Sequence, residues 1–392
     1  MGAKATRSIS TLEALLLLVE WHPESFYHQV GERERNQAEK DKDIIGPEKR
    51  ANTALEHSQM DISEFSLKFD HTSWALLGCA RTLELELGVQ FQSHEGSPPC
   101  ALDDPSAPPD CLSSALIEQR ERYIQLSSLI RIFEHQLSIR LGFAPRVTPF
   151  KELDRLGVLK YNLNQSKNLV AAWVQISQVE TLIAEHSLTQ KQHPTTYNAE
   201  NTMTDSDVRF ITHVELALFE WLNKYTELSS LFDSILVSAV LLEYHYVQSY
   251  AYSVVLQAEF ERWVANGTCS IEPCLGQVYL DQPCQKYADA LATSACIFFQ
   301  IVCHYGEIGA LKYAPVRLLA RIASMITIFI KVLALPLLTV DVENCLLLLR
   351  NAGKVLRSNA ADRLHVFAQY NDFLDAHVGE FQRRFMRVPS EL

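Results

Sequence analysis

Apolar residues recur through most of this chain at three- and four-residue intervals, and no segment sustains the alternation of a half-buried strand. That period places them on one face of an α-helix. The series Tyr123, Leu126, Ile130, Phe133, Leu137 and Leu141 continues a stripe from Leu116 that is about seven turns long. Gly142 and Pro145 end it in the manner of a helix C-terminus. Ile211, Val214, Leu218, Trp221 and Tyr225 form a second stripe. Leu76, Ala80, Leu83 and Leu87 form a third, with Glu84 and Glu86 expected on other faces. Leu231 to Val264 is apolar on most faces, which predicts a helix surrounded by others. Further helices are predicted near Tyr287 to Tyr305, Pro315 to Leu335, Val342 to Arg357 and Ala361 to Arg384. The predicted fold class is therefore all-α, an irregular multi-helix bundle with long polar loops. No fixed-period repeat suggests a solenoid.

Three polar segments interrupt the helical pattern. Gly31 to Arg50 mixes charges of both signs with little apolar content, and Ser93 to Asp110 is rich in proline, so neither sustains a helix. Ser187 to Asp207 contains His193-Pro194 and a run of Thr and Asn, followed by Thr204-Asp205-Ser206 as N-cap residues for the next helix. The predicted organisation is an N-terminal helical part over 1–186, with loops near 31–68 and 93–110, a linker over 187–207 and a C-terminal helical part over 208–392.

With 47% hydrophobic and 21% charged residues, the 392-residue chain has the composition of an ordered globule. Its formal charge of −12 argues against a surface that neutralises phosphates, since nucleic-acid affinity comes chiefly from clustered Lys and Arg. Nine cysteines without paired spacing do not form a disulfide framework, and a reducing compartment is expected. The run Leu15 to Val19 is too short for a signal peptide and lacks a cleavage site, so Asn266-Gly267-Thr268 is expected to be an unused glycosylation pattern. Ala290 to Gly306 and Val316 to Val340 fall short of roughly 20 predominantly apolar residues and are predicted to be buried core helices.

Strong catalytic motifs are missing: there is no Gly-rich phosphate loop, Gly-x-Ser-x-Gly elbow or His-Glu-x-x-His helix. Asp103-Asp104 lies in the proline-rich segment and reads as a solvated pair. Cys269, Cys274 and Cys284 are spaced too widely for paired thiolates to close a tetrahedral zinc site, so no metal or catalytic residue is assigned. Glu243, His245 and His304 are the one candidate acid–base set, which would make the chain a helical enzyme for an apolar small molecule. The aromatic run Tyr244, His245, Tyr246, Tyr250 and Tyr252 offers rings with polar tips on one long helix. His245, Tyr246 and Tyr250 are candidate pocket residues for an aromatic or amphipathic ligand; the alternative is core packing. Met1-Gly2-Ala3-Lys4-Ala5-Thr6 fits the N-myristoylation pattern at Gly2, although one acyl chain gives only marginal membrane binding.

Several segments carry a family resemblance in a consistent order. They are Thr11 to Pro23 (TLEALLLLVEWHP), the Ser73-Trp74-Ala75-Leu76-Leu77-Gly78 run with Glu86-Leu87-Gly88 closing its helix, and Arg131 to Gly142 (RIFEHQLSIRLG). Tyr313-Ala314-Pro315-Val316-Arg317-Leu318 and Asp362-Arg363-Leu364-His365 follow. Together they resemble the middle homology regulatory domain of fungal zinc-binuclear-cluster transcription factors, in the branch that includes activators of aromatic amino acid and GABA catabolism. Trp74, Gly78, Arg131, Gln136, Arg140, Gly142 and Arg317 are its signature positions here. Arg131, Gln136 and Arg140 are candidates for polar ties that fix the two helical halves; the alternative is plain solvated groups on a surface helix face.

The resemblance implies an all-helical, nuclear, non-enzymatic domain that controls RNA polymerase II transcription for nitrogen or secondary metabolism. It implies a small-molecule metabolite effector, other transcription factors or coactivators as partners, no membrane, and a homodimer as a further assembly. The family's six-cysteine cluster, Cys-x2-Cys-x6-Cys twice over, is missing, so no cofactor is expected in this chain. The sequence is expected to start inside the domain, with DNA reached only through an upstream zinc cluster or a partner.

Overall fold

The computed structural model describes residues 7–21, 69–88, 109–143, 165–192, 205–229, 234–265, 282–335, 338–359 and 366–385. Helices make up nearly all of them, and there is no strand among the described residues. In chain order these are α1 (Ile9–Glu20), α2 (69–88), α3 (Pro109–Arg140), α4 (Gln165–Gln192), α5 (Asp205–Ser229), α6 (Ser234–Ala265) and α7 (Gln282–Glu307). A 3-10 turn (Ala310–Tyr313) leads to α8 (Val316–Leu333), α9 (Val342–Ser358) and α10 (Val366–Phe385). The all-α architecture expected from the 3.6-residue period is what the chain adopts.

The chain divides into two compact units, with the boundary between Thr181 and Leu182 inside α4. The last six residues of that helix, 187–192, cover the start of the predicted linker, because α4 continues to Gln192, and α5 begins at Asp205. Positions 193–204 lie outside the described residues. So do Gly2, Asp103-Asp104, Cys269, Cys274, Asn266-Gly267-Thr268, the Gly31 to Arg50 segment and most of the Ser93 to Asp110 segment, together with the Asp362-Arg363-Leu364-His365 match.

In the first unit, α1, α2, α3 and the N-terminal part of α4 enclose one core. Leu12, Leu16 and Val19 of α1 meet Ala80, Leu83 and Leu87 of α2, Ile130, Phe133 and Leu137 of α3, and Val174 of α4. Ser8 starts α1 by accepting a hydrogen bond from the Thr11 amide at 3.2 Å, which satisfies a donor left unpaired in the first turn. The predicted α2 stripe is buried at Ala80, Leu83 and Leu87, with Leu76 half-buried against the same core, and the buried face is broader than the stripe because Leu77 is enclosed as well. Glu84 lies on that broader buried face.

In the second unit, α7 packs against α6, α8 and α9, while α5 covers α6 and α10 covers α9 and α8. The α5 stripe Ile211, Val214, Leu218, Trp221 and Tyr225 is buried throughout, as its spacing predicts. By length and composition α7 is apolar enough to cross a membrane. Its Leu291, Phe298, Phe299 and Val302 are fully enclosed by neighbouring helices, which is the position of a bundle's central helix. Asp341 caps α9 by accepting from the Glu343 and Asn344 amides at 3.0 and 3.1 Å.

Candidate functional site

Trp74, Arg140 and Gly142 come together where the start of α2 meets the end of α3. Gly142 takes φ +73°, and the Gly142 and Phe143 amides donate to the Ile139 and Ser138 carbonyls at 3.0 and 2.9 Å. This pair of bonds closes the helix in a Schellman motif, for which a left-handed glycine is suited. The turn delivers Phe143 to Trp74, with ring centroids 5.5 Å apart. Arg140 pairs with Asp70 and lies 5.9 Å over the Phe69 ring. Burial raises the Asp70 carboxyl above the usual carboxylate range, with Arg140 opposing. Gly78 lies further along α2, exposed and with open space where a Cβ would stand, so nothing in the structure explains its identity.

Arg131 belongs to a buried charged centre built around Glu84. Its Nη2 lies 3.4 Å from Glu84 Oε1, Ser127 Oγ donates to the same oxygen at 2.6 Å, and Arg81 pairs with Oε2. The Tyr123 hydroxyl adds a bond to the Glu84 carbonyl at 3.1 Å. These contacts tie α2 to α3 inside an otherwise apolar interface. Sequence reasoning marked Arg131 but missed Glu84, which is only 2% exposed rather than on another face. The signal available was the polar pair Ser127 and Arg131, one helical turn apart beside the Leu126–Ile130 stripe.

Among the described residues, Gln136 has both amide heteroatoms buried without a hydrogen-bond partner, so it supplies no polar tie to any of them. Its neighbour His135 does so instead, pairing through Nε2 with Thr181 Oγ1 at 3.0 Å and joining α3 to α4. Arg317 stands half-buried in the first turn of α8.

Tyr246 and Tyr250 share a face of α6 and stack at 6.3 Å. The Arg321 guanidinium of α8 lies 3.8 Å from the Tyr246 ring centroid, while its Nη2 pairs with Glu243 Oε2 at 3.2 Å. Sequence reasoning missed Arg321, which reads in sequence as an interruption of an apolar segment. His245 points instead towards α7, where Nδ1 lies 3.1 Å from Ser294 Oγ. Burial lowers its pKa to about 4, with a Gln248 hydrogen bond opposing, so the imidazole is neutral at pH 7. The Tyr246 face thus presents stacked aromatic rings and a cation already balanced by Glu243, while the neutral imidazole is turned to α7.

Glu243, His245 and His304 are not brought into one acid–base constellation. Glu243 is engaged with Arg321, and His304 is ten positions along α7 from Ser294, about 15 Å at the helical rise. Tyr244 stacks on Trp221 at 5.5 Å, and Tyr252 donates to Glu215 at 3.1 Å while stacking on Tyr287 at 5.6 Å. These outer tyrosines pack α6 against α5 and α7. Among the described residues, no group of three or more His, Cys, Asp or Glu side chains is placed to hold a metal ion.

No protein-family model matches the chain, and no solved structure matches it. It is similar to the transcription factor hmgR of Aspergillus fumigatus, with 25% identity over 97% of this chain. The chain spans about half the length of that curated relative.

Proposed function

We propose that this chain is the regulatory part of a fungal transcription factor, without catalytic chemistry of its own. The observation that carries the reading is collinear similarity to hmgR across nearly the whole chain. The all-helical fold and the segments resembling a middle homology domain support it. In this reading the protein acts in the nucleus on RNA polymerase II genes for nitrogen or secondary metabolism. DNA is reached through a zinc cluster outside this sequence or through a partner, in line with the net charge of −12.

Regulation follows if a metabolite binds one conformational population better than another, since only such a difference in affinity shifts the balance. Tyr246, Tyr250 and His245 are the proposed contacts for an aromatic or amphipathic effector, and other transcription factors, coactivators or a second copy of the chain are the proposed partners. Fusion of the chain to a heterologous DNA-binding module above a reporter gene tests the reading. Reporter transcription that responds to the fused chain supports it; output identical to that of the module alone overturns it.

A further inference from the structure

Cys296 of α7 and Cys345 of α9 place their sulfur atoms 3.5 Å apart, and both are free thiols. The proximity is built into the packing of the two helices. Asp289 of α7 accepts the Thr339 amide at 2.8 Å, and the Asn359 side chain at the far end of α9 donates to the Gly306 carbonyl at 3.4 Å. The contacts ascend together along the two helices, so α7 and α9 run parallel with the thiols between two fixed points. A disulfide has a sulfur separation near 2.05 Å, which leaves a gap of about 1.5 Å to close.

We propose that Cys296 and Cys345 are a dithiol site that a peroxide converts into a disulfide, joining α7 to α9. The Cys345 thiolate attacks one peroxide oxygen and breaks the O–O bond, becoming a sulfenic acid while the other oxygen leaves and takes a proton. Cys296 sulfur then attacks the sulfenic sulfur, forming the S–S bond and releasing water with the Cys296 proton. Two thiols lose two electrons, and the peroxide is reduced to water and an alcohol, or to two waters. The hydrogen bond between the sulfurs assigns the roles: it raises the Cys296 thiol, with burial adding to the effect, and lowers Cys345 against the opposing effect of burial. Cys345 is 4% exposed and Cys296 is half-buried beside it, which favours an oxidant as small as hydrogen peroxide.

The inference stands apart from the transcriptional reading and is tested on the purified full chain. The reduced protein is treated with hydrogen peroxide, blocked with iodoacetamide, digested without reductant and mapped by mass spectrometry. The expected result is a peptide linked through Cys296 and Cys345, with Cys303 on the same helix still alkylated. The melting temperature should rise on oxidation, fall back with a thiol reductant, and show no such rise in Cys296→Ser or Cys345→Ser. Full alkylation of both cysteines after peroxide, or separate over-oxidation of each to a sulfinic acid, would overturn it. The mapping needs only the unaltered chain, so a variant that fails to fold leaves the proposal open to refutation.

Discussion

Arg131 and Glu84 face each other across α2 and α3 with their charged groups 3.4 Å apart and almost out of solvent. Ser127 and Arg81 complete the carboxylate's surroundings. Such a centre adds little net stability as a whole, because removing two charges from water offsets most of their attraction.

Removing one member alone has a larger effect, since the other charge remains buried. Glu84→Ala should lower unfolding free energy by about 3–5 kcal/mol, the range for breaking a buried pair. Urea denaturation followed by circular dichroism measures the change. A loss within experimental error of zero would show that water reaches the Arg131 guanidinium.

At Gly142 the left-handed backbone sets the cost of a side chain. Gly142→Ala leaves open space around the new methyl but places an L-residue at φ +73°, so stability should fall by about 1–2 kcal/mol. The Trp74–Phe143 contact should loosen with it. Tryptophan fluorescence during urea denaturation reports both effects.

Gly306 limits the approach of α7 and α9 by packing rather than by backbone conformation. A Cβ built there overlaps Val355 Cγ1 of α9. Gly306→Ala should therefore destabilise the fold by about 1–3 kcal/mol, as overpacking does. Val355→Ala in the same chain should recover part of that loss. A double-mutant cycle of thermal or urea unfolding separates this coupling from the cost of each change alone.

His245 gives the second unit a pH dependence of defined sign. Its folded pKa of about 4 lies below the ordinary 6.5, so the unfolded chain binds the proton more readily than the folded one. The associated stability is complete above pH 6.5 and is lost as pH falls towards 4, by about 3 kcal/mol. Urea midpoints taken between pH 7.5 and 4 should fall more steeply in the unaltered chain than in His245→Gln. Parallel slopes would place the imidazole in contact with water.

The helices were legible because their apolar spacing is long and regular: the α5 stripe from Ile211 to Tyr225 is buried as a unit. At α2, Leu76 and Leu77 are adjacent leucines, and periodicity alone does not choose which one faces the core. The candidate site was legible at Tyr246 and Tyr250, whose four-residue spacing gives one shared face. Arg321 was not, because its partners Glu243 and Tyr246 lie far away in sequence and meet it only through helix packing. The Cys296–Cys345 proximity depends on the parallel course of α7 and α9, which no local pattern encodes.

The regulatory reading is tested most directly by chromatin immunoprecipitation of the epitope-tagged protein in its own cells, with transcript profiles from the corresponding deletion strain. The account predicts enrichment at a discrete set of promoters whose transcripts change when the gene is deleted, whether contact with DNA is direct or through a partner. A uniform chromatin signal together with unchanged transcripts would contradict it.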